Sequence, residues 1–340
     1  MRILIVTDAW YPQVNGVVRT LNAVAAELKL MGHEVIWITP EGRPGFRFPL
    51  YREITIVKTG ARAIGREIDA IKPDCIHIAT EGSLGWAARR ACLRRKLPFT
   101  TSFHTMFAEY AQSRLPVPGV AELGWRILRH FHKPARAVMT PTASISAQLE
   151  SRKFRNVKTW SRGVNRGLFK PHPPRELIWK RPILLYAGRL AIEKGIADFL
   201  ELGTAGTKVL VGDGPQKAEL MAKYPNAVFL GYRHDAELAS IVAGADVLVF
   251  PSRTDTFGLV MLEAMACGTP VAAFNVPSPV DVVVEGETGA LDANLDSAVL
   301  RALQLDRARV EQGSQRFSWK RTAEMFLGWL SPINQGTASR

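Results

Sequence analysis

Cysteine is scarce. Cys75, Cys92 and Cys267 are the whole complement, odd in number and in no spaced pattern. That excludes a disulfide scaffold and a zinc-finger site, and it fits a reducing compartment. No apolar run approaches the ~18–20 residues of a membrane span. Met1–Val6 runs straight into Thr7-Asp8. It is too short for the apolar core of a signal peptide and reads as a first buried strand. Low-complexity tracts and short-period repeats are also missing. Acidic residues are short in one half only: positions 1–170 hold 27 Lys/Arg against 12 Asp/Glu, a net +15, whereas 171–340 hold 17 against 19, a net −2. The chain's whole excess of +13 therefore lies in its first half. Such asymmetry suggests a half that faces a polyanion, nucleic acid or an anionic membrane, although a solubility surface gives the same arithmetic.

What is present is ample for two cores. With 340 residues, 47% of them hydrophobic, the chain exceeds one ordinary domain of ~100–200 residues and is not wholly disordered. Short β-rich runs at Arg2–Val6, Glu34–Thr39, Cys75–Ile78, Phe99–Phe103 and Ala137–Pro141 alternate with helical stretches such as Gly16–Met31, which Gly32 stops. Alternating β and α predicts a parallel sheet wrapped by helices. Residues Lys170–Pro182 carry four prolines in thirteen positions and read as a linker. The pattern then restarts with strands at Ile183–Ala187, Lys208–Val211, Ala227–Leu230, Val247–Phe250 and Pro270–Phe274. The expected architecture is α/β: a first Rossmann-like domain over 1–169, a linker over 170–182, a second Rossmann-like domain over 183–316 and a terminal helix over 317–331. Ligands of such sheets bind beyond the carboxyl ends of the strands, so two facing sheets would make a cleft.

Four segments follow strands and carry candidate chemistry. Asn15-Gly16-Val17 opens a helix, where a glycine lets amides approach an anion, or simply makes a turn. Arg189 and Lys194, five apart in Gly188–Gly195, place two cations that could clamp a diphosphate, or a solvated loop. Gly212-Asp213-Gly214-Pro215 is a tight turn. The segment Phe250–Pro270 ends a strand, passes Asp255, Phe257 and Gly258, and starts a helix carrying Glu263. Asp255 and Glu263 are natural acceptors for sugar or ribose hydroxyls, and amides at Gly258, Leu259 and Val260 could cap a phosphate. A buried structural Glu263 is the competing reading.

That last segment resembles the E-x7-E region of the retaining, nucleotide-sugar-dependent glycosyltransferases of family four, which have two Rossmann-like domains (the GT-B fold). Tyr11–Val17 resembles the family's first loop, and Thr101–Tyr110, with His104, its histidine motif. Trp160–Asn165 with Leu168, Phe169 and Pro171 resembles the segment entering the linker, and the Gly188–Gly195 and Gly212–Pro215 segments match too. Ordered motifs over ~260 residues are far more specific than any one alone. The closest-looking members are sulfoquinovosyl- and glycosyl-diacylglycerol synthases and related lipid mannosyltransferases.

The resemblance implies roles by position. Glu263 would bind the nucleotide ribose. Asp255, where the family usually has Glu, would touch the donor sugar, and its shorter arm bears on donor choice. Arg189 and Lys194 would hold the diphosphate as it leaves, with the Gly16 amide on the same phosphates. His104 would sit at the donor sugar with its carbonyl near the anomeric carbon, and Arg162 would line the cleft. Asn165 stands where many relatives have Asp. The terminal helix would cross back to the first domain. The reaction implied is transfer with retention: the acceptor hydroxyl attacks from the leaving group's own face and passes its proton to the departing phosphate. With no Asp-x-Asp pair in a metal position, no metal or other cofactor is expected.

Charge argues for the acceptor. Arg89–Lys96 holds five cations in eight residues, Arg89, Arg90, Arg94 and Arg95 among them. Along Leu123–Lys133, at ~100° per residue, Leu123, Ile127, Leu128 and Phe131 form one arc, and Trp125, Arg126, Arg129 and Lys133 the opposite one. The apolar arc is either core packing or a face set into lipid, with Trp125 at the boundary and cations at headgroups. The expectation is transfer from a UDP-sugar to diacylglycerol by a cytoplasmic protein peripheral on the inner face of the cell membrane. The alternatives are a GDP-mannose-dependent mannosyltransferase or an enzyme acting on a soluble or polysaccharide acceptor; an epimerase or a nucleic-acid-binding protein is more remote. No nucleic-acid readout motif is recognised.

Overall fold

A computed structural model describes residues 1–13, 15–48, 51–114, 117–171 and 178–333. Six of the thirteen residues of the proline-rich segment expected as a linker, 172–177, lie outside them, as do seven of the last ten residues. The chain forms two compact units, Met1–Arg162 with the chain from Trp319, and Gly163–Ser318.

The strands are β1 (Arg2–Val6), β2 (Glu34–Ile38), β3 (Gly45–Phe48), β4 (Tyr51–Val57), β5 (Cys75–Ile78), β6 (Thr100–Ser102), β7 (Val138–Thr140) and β8 (Val157–Thr159) in the first unit. The second holds β9 (Ile183–Ala187), β10 (Thr207–Val211), β11 (Val228–Phe229), β12 (Val247–Phe250), β13 (Val271–Phe274) and β14 (Gly289–Asp292). Helices α1 (Gly16–Leu30), α2 (Ala61–Ile71), α3 (Ser83–Arg95), α4 (Phe107–Arg114), α5 (Val120–His132) and α6 (Ala143–Ser151) lie between the first strands. The second unit has α7 (Ile196–Leu200), α8 (Lys217–Lys223), α9 (Asp235–Gly244), α10 (Leu259–Ala266), α11 (Pro279–Val282), α12 (Leu295–Ala302) and α13 (Arg307–Gly313), and α14 (Trp319–Trp329) follows.

Each unit is a six-stranded sheet, ordered β2-β1-β5-β6-β7-β8 and β11-β10-β9-β12-β13-β14, and the pairings within both are parallel. Ile3, Leu4, Ile5 and Val6 are all fully buried, as a parallel strand covered on both faces requires. On one face of the first sheet Leu4 and Val6 meet Ile64, Leu84 and Leu128. On the other, Ile3 and Ile5 meet Leu21, Val24 and Phe326. The run reads as unbroken hydrophobic rather than alternating because two helix layers divide it between them.

In the second sheet the order reverses between β9 and β12. The loops leaving those two strands therefore flank a topological switch point, where open α/β sheets bind ligands. The expected terminal helix is α14, and it does return to the first unit: Trp160 Nε1 donates to the Thr322 carbonyl at 3.0 Å, and Phe326 sets its ring edge-on to His77 at 4.8 Å. Burial pushes the His77 imidazole down to about 3, and it bonds Thr100 and Ser102 hydroxyls at 2.9 Å each.

The outer strands β8 and β14 were not expected from the sequence, and two further details differ. An antiparallel hairpin, β3–β4, stands where no strand was expected. Val164 and Phe169 pack into the core of the second unit, so the chain changes units after Arg162 rather than at 169.

Candidate active site

In the second unit, glycine permits the loops after β9, β10 and β12 to touch backbone to backbone. Gly212 has φ +139°, and a Cβ there would lie 1.8 Å from the Gly188 carbonyl oxygen. A Cβ on Gly195, at φ +64°, would lie 2.7 Å from the Pro251 carbonyl oxygen. The turn Ile192–Lys194 is thereby seated on the loop after β12, where the Thr254 hydroxyl donates to the Glu193 carbonyl at 3.2 Å. The outcome is a direct hydrogen-bonded ion pair between Lys194 and Asp255, both largely shielded from solvent. Asp255 and Lys194, assigned to sugar and diphosphate by resemblance, thus hold each other across the switch point. The carboxylate neighbour orients the ammonium toward the switch point.

Gly258 opens α10 at φ +82° in the left-handed region. Its neighbours Leu259 and Val260 form the first turn, whose amides lack helical partners and suit an anion. Phe257 is buried, with its ring 6.5 Å from Phe317, and its carbonyl accepts the Ser278 hydroxyl at 2.7 Å. Glu263 lies one turn further along α10, 4% exposed. Arg189 is half-buried on the loop after β9, and its carbonyl is held by the Tyr186 hydroxyl at 2.7 Å. Arg189, Lys194, Asp255, Phe257, Gly258, Leu259, Val260 and Glu263 therefore all sit on one unit, on the two loops flanking its switch point and the helix that follows.

In the first unit, His104 sits just beyond the carboxyl end of β6. Its Nδ1 is 3.3 Å from a guanidinium nitrogen of Arg162, and Trp160 packs edge-on to it at 5.9 Å. Burial, then the Arg162 charge, hold the imidazole well below its usual pKa, so it is neutral at pH 7. Gly16 starts α1, but the side chain that organises this terminus is Asn15, whose Oδ1 accepts from the Val17 and Val18 amides at 3.0 Å. Asn15 fills the N-cap role that four orphan amides demand.

One buried carboxylate was missed altogether. Asp8, after β1, accepts from the Leu84 and Gly85 amides at 2.8 and 3.1 Å and from Thr80 and Ser83 hydroxyls at 3.0 Å. It caps α3 from outside, and burial raises its pKa despite those donors. Its signal was the polar Thr7-Asp8 ending a fully apolar strand.

The basic surface needs correction. Trp125 is 2% exposed, stacked on Phe103 at 5.8 Å, with the Arg152 guanidinium 4.3 Å from its ring centre. It is core, not a membrane-boundary residue. Leu123 and Ile127, expected to share an arc with buried Leu128 and Phe131, are instead 58% and 49% exposed. They project with exposed Arg126, His130 and Lys133. Arg129 is half-buried and donates to the Arg152 carbonyl at 3.1 Å. Arg89 is buried and donates to the Phe131 and His130 carbonyls at 2.9 and 2.8 Å. Arg95 pairs with Asp69 at 2.7 Å. Of the five Arg89–Lys96 cations, Arg90, Arg94 and Lys96 remain exposed on the surface.

Comparisons with known proteins agree with this arrangement. Residues 14–167 match the model described as Glycosyltransferase Family 4, and residues 181–304 the model described as Glycosyl transferases group 1. A GDP-mannose-dependent alpha-mannosyltransferase of Mycolicibacterium smegmatis is 33% identical over 86% of this chain and 84% of its own. An alpha-monoglucosyldiacylglycerol synthase of Streptococcus pneumoniae is 28% identical over 89% and 78%. The sucrose-phosphate synthase of Thermosynechococcus elongatus shares the fold, with a TM-score of 0.76, 21% identity and coverage of 96% and 97%. With two switch-point sheets, the ordered motifs on their loops and this level of identity, the chain belongs to the family 4 glycosyltransferases of GT-B fold.

Proposed function

We propose that this glycosyltransferase moves mannose from GDP-mannose to a diacylglycerol-based lipid, with retention of configuration and without a metal ion, at the cytoplasmic face of the membrane. The sequence reading favoured a UDP-sugar; the identity to a GDP-mannose-dependent relative moves the donor to GDP-mannose. One observation carries the chemistry: the Lys194–Asp255 pair stands beside the α10 N-terminus on the donor unit. The acceptor oxygen bonds to the anomeric carbon as the bond to the diphosphate oxygen breaks, and the acceptor proton passes to that phosphate. Negative charge grows on the leaving group, where Lys194, Arg189 and the α10 amides meet it. His104, neutral, adds no cation beside a sugar that is itself becoming positive.

The lipid part rests on Leu123 and Ile127. Two exposed apolar side chains one turn apart, beside Arg126 and Lys133, suit an interface rather than bulk water. No helix among the described residues is long and apolar enough to cross a membrane. Leu123→Gln with Ile127→Gln is expected to weaken binding to vesicles containing anionic lipid by about tenfold or more. Its melting temperature should be unchanged, because neither side chain is in the core. Equal flotation of variant and wild type with vesicles would remove this surface from the proposal.

The deciding experiment is mass spectrometry of lipid extracts after incubation with anionic vesicles containing diacylglycerol, GDP-mannose or UDP-sugars, and EDTA. The expected result is one new hexosyl lipid, with GDP-mannose and with EDTA present. A product with UDP-sugars alone would reassign the donor. Loss in EDTA would overturn metal independence. Nucleoside diphosphate release only with soluble glycans would overturn the lipid acceptor.

A further inference from the structure

Arg162 is 4% exposed, and its guanidinium is used on three sides. One terminal nitrogen donates to the Trp160 and Ser161 carbonyls at 2.6 and 3.0 Å. The guanidinium carbon lies 4.4 Å from the centre of the Trp160 ring. The other terminal nitrogen is 3.3 Å from His104 Nδ1. Trp160 is itself fixed from behind by the Thr322 carbonyl, so the guanidinium is aimed by a rigid support.

A guanidinium has donors only, so His104 Nδ1 must accept. A neutral imidazole carries one N–H, which is then on Nε2. We propose that Arg162 is a positioning residue for His104, locking its ring as the Nε2–H tautomer and excluding the imidazolium during sugar transfer. This rests on the assignment of His104 to the donor sugar. Two consequences serve the reaction. A fixed donor on Nε2 can hold a hydroxyl in one orientation, whereas a ring free to switch tautomers offers donor and acceptor by turns. A ring that cannot charge adds no repulsion to a positive transition state.

Burial does most to keep a proton off the His104 ring, and the groups facing it, Arg162 from the segment after β8, His77 from β5 and His132 from α5, add to that in this order. His132 is buried between the Thr101 hydroxyl at 2.8 Å and Glu81 at 3.0 Å, and His77 stays neutral down to about 3. Arg162 is thus the fixed charge of the set; burial lowers its own pKa only to about 9. Removing that charge raises the His104 pKa, so protonation begins at higher pH.

The test uses the full chain with 15N-labelled histidine, the His104 signals being identified by their loss in His104→Gln. In the wild type at pH 7, Nδ1 should carry no proton and Nε2 should carry one. In Arg162→Met, which keeps a long chain over Trp160, the two nitrogens should average between tautomers. The ring should then titrate about 1–3 units higher, and the acid limb of kcat should move up with it. At pH 8, kcat should fall about tenfold or more. Arg162→Lys, which keeps the charge, should hold the acid limb near the wild-type position. A wild-type ring with its proton on Nδ1 overturns the proposal whether or not any variant folds. So does a folded Arg162→Met with an unchanged tautomer and pH profile. If the tautomer behaves as stated but His104→Gln keeps full activity, the assignment of His104 to the sugar fails instead.

Discussion

Replacing Lys194 by alanine is expected to lower kcat about 100- to 1,000-fold, the loss that follows removal of one donor aimed at transition-state charge, about 2.7–4 kcal/mol. Lys194 closes the short turn after β9 and meets Asp255 on the loop after β12. A purely structural salt bridge would make a different prediction. Lys194→Ala and Asp255→Asn would then destabilise the second unit alike and lower activity alike, through lost folded protein. The catalytic assignment expects Lys194→Ala to keep most of its melting temperature and its donor affinity while losing turnover. Asp255→Asn should mainly raise the donor KM, since an amide still accepts a hydroxyl but no longer orients the ammonium. Steady-state kinetics on both, with thermal melts, separate the cases. Turnover of Lys194→Ala within roughly threefold of wild type would end the assignment of this lysine to the leaving diphosphate.

Gly212→Ala should be the most damaging of the small substitutions. An added Cβ meets the Gly188 carbonyl oxygen at 1.8 Å while the backbone is held at φ +139°. The obstacle is main chain, not a pliable side chain, and Gly188 is tied to Val211 by its own amide at 2.9 Å. Strain of about 1–3 kcal/mol for the backbone conformation adds to about 1–3 kcal/mol for overpacking. Chemical denaturation should therefore show at least about 2 kcal/mol lost, or no folded second unit. Gly286→Ala is the control: its φ is also positive, +74°, but nothing lies within 4 Å of the added methyl. A Gly212→Ala protein as stable as Gly286→Ala would refute the close approach of the two loops.

The fold was legible because parallel strands buried on both faces have no disguise. Ile183–Ala187 and Val247–Phe250 are apolar throughout, and turn residues bound them on both sides. Edge strands carry a weaker imprint, which is why β8, β14 and the hairpin β3–β4 passed unseen: each strand has one partner and a polar flank. The loops that flank the second switch point were legible for a different reason: the positive-φ glycines at 195 and 212 are demanded by backbone approach, and Gly258 by its left-handed φ against the Phe250 ring. Helix α5 was misread because apolar residues run most of the way round it. Positions 123, 125, 127, 128 and 131 cover about 200° at ~100° per residue, more than any core face takes. Which of them turn inward is decided by α4, whose Ala108 meets Gly124 closely, and by Phe103 behind Trp125, partners that periodicity does not contain. Asp8 escaped for a similar reason, and so did the contacts of Asn15 and Arg162, which the sequence placed only in a helix-opening turn and along a cleft. Each acts through a neighbour distant in sequence or through a cap, and a single side chain gives no spacing to read.

Helix α14 gives the chain an unusual order of completion. The first sheet is made early, yet a layer of its covering comes from residues 319–329, delivered after the whole of Gly163–Ser318. On the ribosome the later unit has all its parts before the earlier one does. Until the last turn emerges, Trp160, His77 and Ile5 wait with one side uncovered. A premature stop or a proteolytic cut after Ser318 would therefore leave the second unit entire and open the first, the unit that carries His104 and Arg162.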